Sequence, residues 1–121
     1  MEGDFGAKLE NTVACALLRE LHFIEDTTGN QVNLQYIRDK EKHEVDFLNL
    51  INNKPLSMVE VKMSEDKFSP SLFRFHQYLK CSKPFQIVYD LKHKKSKGYA
   101  KMLPVHEFLS DLTQILHLKS S

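Results

Sequence analysis

The chain lacks any apolar run approaching the length of a membrane span, and its N-terminus lacks the charged-then-apolar pattern of a secretory signal. Membrane-embedded and exported classes are thereby disfavoured, and a soluble, cytoplasmic protein with no membrane partner is expected. Cysteine is scarce. Cys15 and Cys81 have no metal-type spacing, and each falls in a helix-like apolar pattern, so two reduced, core or half-buried thiols are expected rather than a disulfide framework. Charge of either sign is not in excess: 17 basic residues against 16 acidic give +1, which by itself points to no polyanionic partner. Two local basic groups, Arg38 to Lys42 and Lys92 to Lys97, read as solvated loops. Repeats, linkers and a GxxxxGK[ST] phosphate loop are absent, so the chain carries no ATP-binding module of that type. What remains is 121 residues, 41% hydrophobic and 10% aromatic, read as a single globular domain over 1–121 with a sizeable core.

Periodicity supplies the elements. Leu9, Val13, Ala16 or Leu17, and Leu21 predict an amphipathic helix over Ala7 to Leu21, followed by turn chemistry from Glu25 to Asn30 in which Gly29 suits a positive φ. Gln31 to Arg38 alternates as a half-buried strand, and Asp39 to His43 is a charged turn with His43 in solvent. Ser69 and Pro70 open a helix whose stripe of Leu72, Phe75 or His76, and Leu79 runs through Cys81. Phe85 to Tyr89 reads as a strand buried on both faces, Lys92 to Gly98 as a basic turn, Tyr99 to Met102 as an edge strand, and Pro104 as the start of one final helix with Val105, Phe108, Leu109, Leu112 and Leu116 on one side. The order α-β-β-β-α-β, with a trailing strand and C-terminal helix, predicts an α/β fold with a mixed central sheet flanked by helices.

The informative stretch is Glu44 to Lys62, EVDFLNLINNKPLSMVEVK, two apolar strands joined by a bend at Asn52 to Pro55. Both strands carry carboxylates in runs that otherwise look buried. Burying an unpaired charge costs several kcal/mol, so such acids need a metal, a cation or water. Glu60 and Lys62, two residues apart in a strand, leave one face, with Val59, Val61 and Met63 on the other. Asp46, between Val45 and Phe47, likewise opposes an apolar face, and in a hairpin it lies on the Glu60 face. Two carboxylates so placed can share one hard cation. The plainer alternative is an exposed Glu60–Lys62 ion pair worth under about 1 kcal/mol, with Asp46 solvated. For Glu10, in the first turns of the first helix, the plain reading is a favourable charge near a helix N-terminus.

An acid on one strand and acid-any-lysine on the next resembles the PD-(D/E)XK nuclease superfamily. More closely, GAKLENTVACALLREL, YIRDKEKHEVDF and VEVKMSEDKFSPSLFRFHQYL, over Gly6 to Leu109, look like the uncharacterised C-terminal domain that follows the ATPase module in a family of prokaryotic AAA-type ATPases. The resemblance implies a restriction-endonuclease-like core and a Mg²⁺- or Mn²⁺-dependent site with Asp46, Glu60 and the Val61 main-chain carbonyl as ligands. Lys62 would act on water or phosphate, and Glu10 would stand behind the metal. It further implies nucleic acid as substrate and an ATPase module as partner, in cis if this is an excised piece or in trans if it stands alone. Three positions depart from the family pattern. Asp39 stands where threonine is usual, Met63 where a small residue is usual, and Cys81 where some related nucleases place a substrate-contacting tyrosine four residues after a glutamine, here Gln77. Two functions follow from this reading: a metal-dependent nuclease hydrolysing DNA or RNA, or a non-catalytic module that binds nucleic acid, a protein or its own ATPase.

Overall fold

The structure, a computed structural model, describes residues 3–80 and 82–117. Helix α1 (Gly3–Thr28) is followed by strands β1 (Val32–Arg38), β2 (Glu44–Ile51) and β3 (Lys54–Lys62), helix α2 (Pro70–His76), strands β4 (Lys83–Val88), β5 (Lys95–Lys97) and β6 (Ala100–Pro104), and helices α3 (Val105–Ser110) and α4 (Leu112–His117). The strands form one mixed sheet in the order β1-β2-β3-β4-β6-β5. β1, β2 and β3 meander antiparallel, β3, β4 and β6 run parallel, and β5 returns antiparallel on β6. The α/β class and the α-β-β-β-α-β order are those expected. Among the described residues no helix is long and apolar enough to cross a membrane.

Both sheet faces are covered. On one, Leu9, Val13, Leu17, Leu21 and Ile24 form the buried stripe of α1 and meet Val59, Val61, Phe85 and Ile87 of the sheet and Phe108, Leu112 and Leu116 of α3 and α4. On the other, α2 sets Leu72 and Phe75 against Val45, Leu48 and Met58. Central β4 is buried from Pro84 to Val88, which is why its sequence is nearly continuous in apolar residues.

Several boundaries differ from expectation for identifiable reasons. α1 runs two turns past Leu21 because Ile24 extends the stripe and the Thr27 and Thr28 hydroxyls donate to the Phe23 and Ile24 carbonyls. Gly29, at φ 78°, then ends it. Cys15 lies on the exposed side of this helix rather than in the core, and Cys81 lies outside the described residues. α2 ends at His76 with Gln77 as its C-cap, short of the predicted run. The segment read as an edge strand is interior, because residues 95–97 of the basic turn supply the edge instead. The final helix is two helices, broken at Asp111 (φ −99°, ψ 12°), although Val105, Phe108, Leu112 and Leu116 still share the core.

The β2–β3 bend is tighter than expected. Asn52 and Asn53 both take positive φ, 52° and 65°, while Lys54 and Pro55 already belong to β3. Pro55 sits where the register shifts between Asn49 and Leu50, so its missing N–H leaves no gap in a regular ladder. The Asn52 Oδ1 accepts the Gln31 N–H at 3.0 Å and its amide group donates to Asn30 at 3.1 Å, anchoring the hairpin tip to the α1–β1 loop. Replacing Asn52 with Ala is therefore expected to lower stability by about 1–2 kcal/mol. Asn53→Gly, relieving positive φ without losing a bond, is expected to be neutral or stabilising by up to about 1 kcal/mol. Urea unfolding of the two variants checks the contrast.

Candidate metal and acid site

The ladder between β2 and β3 runs from the turn as far as Phe47 opposite Val59 and stops there, although β2 continues back to Glu44 and β3 on to Lys62. β2 stays with β1 instead. Between Gln35–Leu48 and Ile37–Val45 the β1–β2 register shifts by one, so Asp46 and Phe47 together oppose Tyr36. That is a β-bulge, and a bulge bends the strand that carries the extra residue. It also alters one expectation: Val45 and Phe47 do not share a face. Val45 enters the α2-side core and Phe47 packs on the α1 side, because the extra residue breaks the alternation.

Asp46 occupies the gap so formed. Its Oδ2 accepts the Val61 N–H at 2.8 Å, taking the place of a main-chain carbonyl that β2 no longer supplies. The carboxylate thus lies near the plane of the sheet rather than on the Glu60 face. The Lys62 carbonyl accepts the Tyr89 N–H at 2.9 Å on the β4 side. Neighbouring residues of a strand point their main-chain groups to opposite sides, so the Val61 carbonyl, like its N–H, faces the Asp46 gap.

Burial, the largest effect, lifts the Asp46 carboxyl to about 6; the Val61 N–H pulls it down, the Glu10 and Glu60 carboxylates raise it further, and Lys62 opposes them. Glu10 on α1 is therefore close enough for its charge to be felt at Asp46. Since α1 begins at Gly3, Glu10 is two turns inside the helix, and the helix-terminus explanation for this acid loses its basis.

Glu60 is more deeply set, its side chain 10% exposed, with Oε2 3.3 Å from the Lys62 ammonium, itself 38% exposed. Burial raises the Glu60 carboxyl most, against Lys62 and the Ser69 hydroxyl, which lower it, and Glu44 adds a smaller upward push. Its Oε1 is buried and accepts no hydrogen bond. A buried carboxylate oxygen without a donor is an unmet demand for a cation or a proton. Glu10, Asp46 and Glu60 are not drawn into a triad with all ligand atoms within 4.8 Å of one another.

Beside Glu60, in register on β4, lies Gln86, fully buried. Its Oε1 accepts the Ser69 N–H at 2.7 Å and its Nε2 donates to the Lys67 carbonyl at 2.9 Å. This single amide clamps the loop that leads from the acid-lysine strand into α2. Ser69 in turn caps α2, its hydroxyl accepting the Ser71 N–H at 3.2 Å. Sequence reasoning passed over Gln86, although a lone amide inside Pro-Phe-Gln-Ile-Val is the same conflict of polarity that marked the acids.

The group of Asp39, Glu41 and His43 does come within 4.8 Å. A guanidinium already fills it: Arg74 Nε lies 2.7 Å from Asp39 and Nη2 2.8 Å from Glu41. Burial works to raise the Asp39 carboxyl, but the Arg74 bond and the His43 and Glu41 amides outweigh it and hold the group at about 2. His43, expected in solvent, is half-buried here, its Nδ1 3.4 Å from Asp39. The aspartate standing where threonine was expected thus pins the β1–β2 turn to α2.

Of the family-derived substrate contacts, Gln77 is exposed at the end of α2. His76 turns away to a ring contact with Tyr99, centroids 5.6 Å apart. The position of Cys81 lies outside the described residues.

The fold is an α/β domain in which a splayed hairpin sets an acid in the β2–β3 gap and an acid-lysine pair on β3. The chain belongs to the family described as domain of unknown function (DUF4143), which matches residues 5–108. No curated protein and no solved structure matches it.

Two outcomes are expected. Because the folded Asp46 titrates near 6 and the unfolded group near its ordinary 3.8, ionising it opposes folding: the contribution is most favourable below about pH 4 and is lost as pH rises through 6. Asp46→Asn, which keeps an oxygen for the Val61 N–H, should melt higher than the wild type at pH 7.5 without metal, by roughly 1–2 kcal/mol, and equally at pH 4. A lower melt at pH 7.5 would mean that the negative charge is held by a partner in the fold. Gln86→Leu strands two part-buried main-chain groups and should cost about 1–3 kcal/mol, with faster hydrogen exchange at Ser69 than at the amides of α1.

Proposed function

We propose that this domain is a divalent-metal-dependent phosphodiester hydrolase acting on nucleic acid, on a restriction-endonuclease-like core. The observation that carries the reading is the Asp46 carboxylate in the β2–β3 gap, 2.8 Å from the Val61 N–H, beside a buried Glu60 oxygen with no hydrogen-bond donor. The residues present fit a hard cation such as Mg²⁺ or Mn²⁺, since every candidate ligand is oxygen and both acids are raised by burial, a state that a cation would relieve. Asp46, Glu60 and the Val61 carbonyl would hold it, with Glu10 behind. When bound, such an ion neutralises charge on the scissile phosphate.

The chain's own part is positioning. Lys62, its ammonium at the rim of the gap and held by Glu60, donates to a phosphate oxygen or to the attacking water. The water oxygen bonds to phosphorus as the bond to the leaving oxygen breaks; the attacking water gives up its proton to solvent, and the leaving alkoxide takes one from solvent. Gln86 and Ser69 fix the loop beside Glu60, which keeps the acid-lysine pair in place without touching substrate.

A second reading is a non-catalytic module, binding nucleic acid, a protein or an AAA-type ATPase in cis or in trans. The Lys62–Glu60 contact favours it, because the ammonium neutralises one acid of the set by itself.

Incubation with labelled single-stranded, duplex and branched oligonucleotides separates the two. Cleavage is expected with Mg²⁺ or Mn²⁺ and not with chelator. Ca²⁺, whose larger and looser shell positions groups less tightly, is expected to bind without supporting turnover. Lys62→Met should slow cleavage by about 10²-fold or more while keeping the metal-induced rise in melting temperature, and Asp46→Asn should lose both. Metal binding without turnover on any substrate leaves the binding module; cleavage equal in wild type and Lys62→Met removes the hydrolase reading.

A further inference from the structure

Seven of the seventeen basic residues fall between Lys80 and Lys101, against the single carboxylate of Asp90, a local balance of +6 in a chain whose total is +1. The fold gathers part of this excess around a cleft of about 680 Å³ at the start of β4 and β6, between the end of α2 and the α3–α4 pair. Lys80, Lys83, Lys94 and Lys101 line it, with Tyr99 and His76. Lys80 and Lys101 make no ion pair among the described residues. Lys94 is held by Glu107 at 3.0 Å, which with Asp111 makes the α3–α4 wall acidic and leaves the positive potential on the opposite wall. Tyr99 stands 81% exposed beside Gly98, whose φ of 61° sets the turn, and the His76 ring braces it. Phe85 and Leu103 give the cleft an apolar floor.

A large aromatic left in water next to unpaired ammonium groups over an apolar floor matches one chemistry well: a base that stacks and a backbone that is charged. A duplex offers its phosphates but hides its base faces, and the carboxylates of an acidic polypeptide bring no ring of their own to Tyr99, whereas every nucleotide carries a ring beside its charge. We propose that this cleft binds a single-stranded segment of nucleic acid, a base against Tyr99 and the flanking phosphates on Lys80 and Lys101. The choice of nucleic acid as occupant rests on the phosphodiester reading above, while binding itself needs no turnover. β3 and β4 connect the two places: Lys83 pairs with Ser57 at the cleft end, and Val88 pairs with Lys62 at the acid end, five residues and about 17 Å further on. The cleft would therefore hold substrate away from the reacting phosphate.

The test is fluorescence anisotropy of a labelled twelve-nucleotide single strand and of its duplex, in chelator, with folding of each variant checked by circular dichroism. The single strand is expected to bind more tightly than the duplex. The double variant Lys80→Ala/Lys101→Ala should weaken binding tenfold or more and reduce the slope of log affinity against log salt by about 1.4, from ~0.7 per lost single-strand phosphate contact. Tyr99→Ala should weaken it about tenfold, the scale of one base stack, and Tyr99→Phe should restore it. Unchanged affinity in these variants, preference for duplex, or a Tyr99→Ala variant that binds like wild type would each overturn the proposal. Binding of the expected form without cleavage by the metal-loaded wild type removes hydrolysis and keeps the cleft. Cleavage that the cleft variants leave untouched, with unchanged binding, removes the cleft and keeps hydrolysis.

Discussion

The bond from the Val61 N–H to the Asp46 carboxylate is the constraint on which the site depends. A regular β2–β3 ladder would satisfy Val61 with a main-chain carbonyl and leave no room for a side chain between the strands. The bulge at Asp46 and Phe47 bends β2 toward β1, and β3 keeps its other edge on β4, so a wedge opens between two strands that are both still paired. Asp46 fills the main-chain vacancy with a charged group. That substitution is poor for stability, because the acceptor must be desolvated and sits near two further acids. It places a carboxylate oxygen and, by strand geometry, the Val61 carbonyl at one point.

Two clamps hold the wedge in shape. Arg74 bridges Asp39 and Glu41, tying the turn before β2 to α2. Gln86 holds the loop after β3 against β4, and through Ser69 sets where α2 begins. α2 is thus fastened at its cap to Gln86 of β4, beside the acid-lysine strand, and along its length to the turn of the acid strand. Movement of either strand end would strain the same short helix, which is a physical reason for a seven-residue helix to be packed over this half of the sheet.

Much of this was legible in the chain. Period-two alternation in Gln31 to Arg38 and the stripe of Leu9, Val13 and Leu21 suffice for the elements, and the side-by-side exit of Glu60 and Lys62 follows from strand geometry alone. Asp46 was legible as an anomaly but not as a place, since a bulge has no reliable mark in EVDF and depends on the β1 pairing across from it. Gln86 was hidden by its neighbours, and Arg74 by its distance in sequence from Asp39. The broken final helix was hidden because Asp111 interrupts the backbone without interrupting the apolar pattern. The misses at Asp46, Gln86 and Arg74 each involve a contact between residues well separated in the chain, where local pattern carries no information.

Near-neutral composition also conceals a segregated charge. Around the gap, the carboxylates of Glu10, Asp46, Glu60 and Glu44 outnumber Lys62 and the Arg38 guanidinium, which lies 3.9 Å from Glu44. A polyanion approaching that end of β3 meets repulsion until a cation is present. Seven lysines cluster instead between Lys80 and Lys101, several of them at the far end of β4. Lys92 and Lys95 lie instead with Glu65, Asp66 and Asp90, just past Lys62, so on the proposed reading docking would rest on the cleft lysines at one end of the two strands and chemistry on the acids at the other. On the proposed reading, an anionic chain would dock without its affinity being set by the acids at the other end, in a domain whose net charge is only +1.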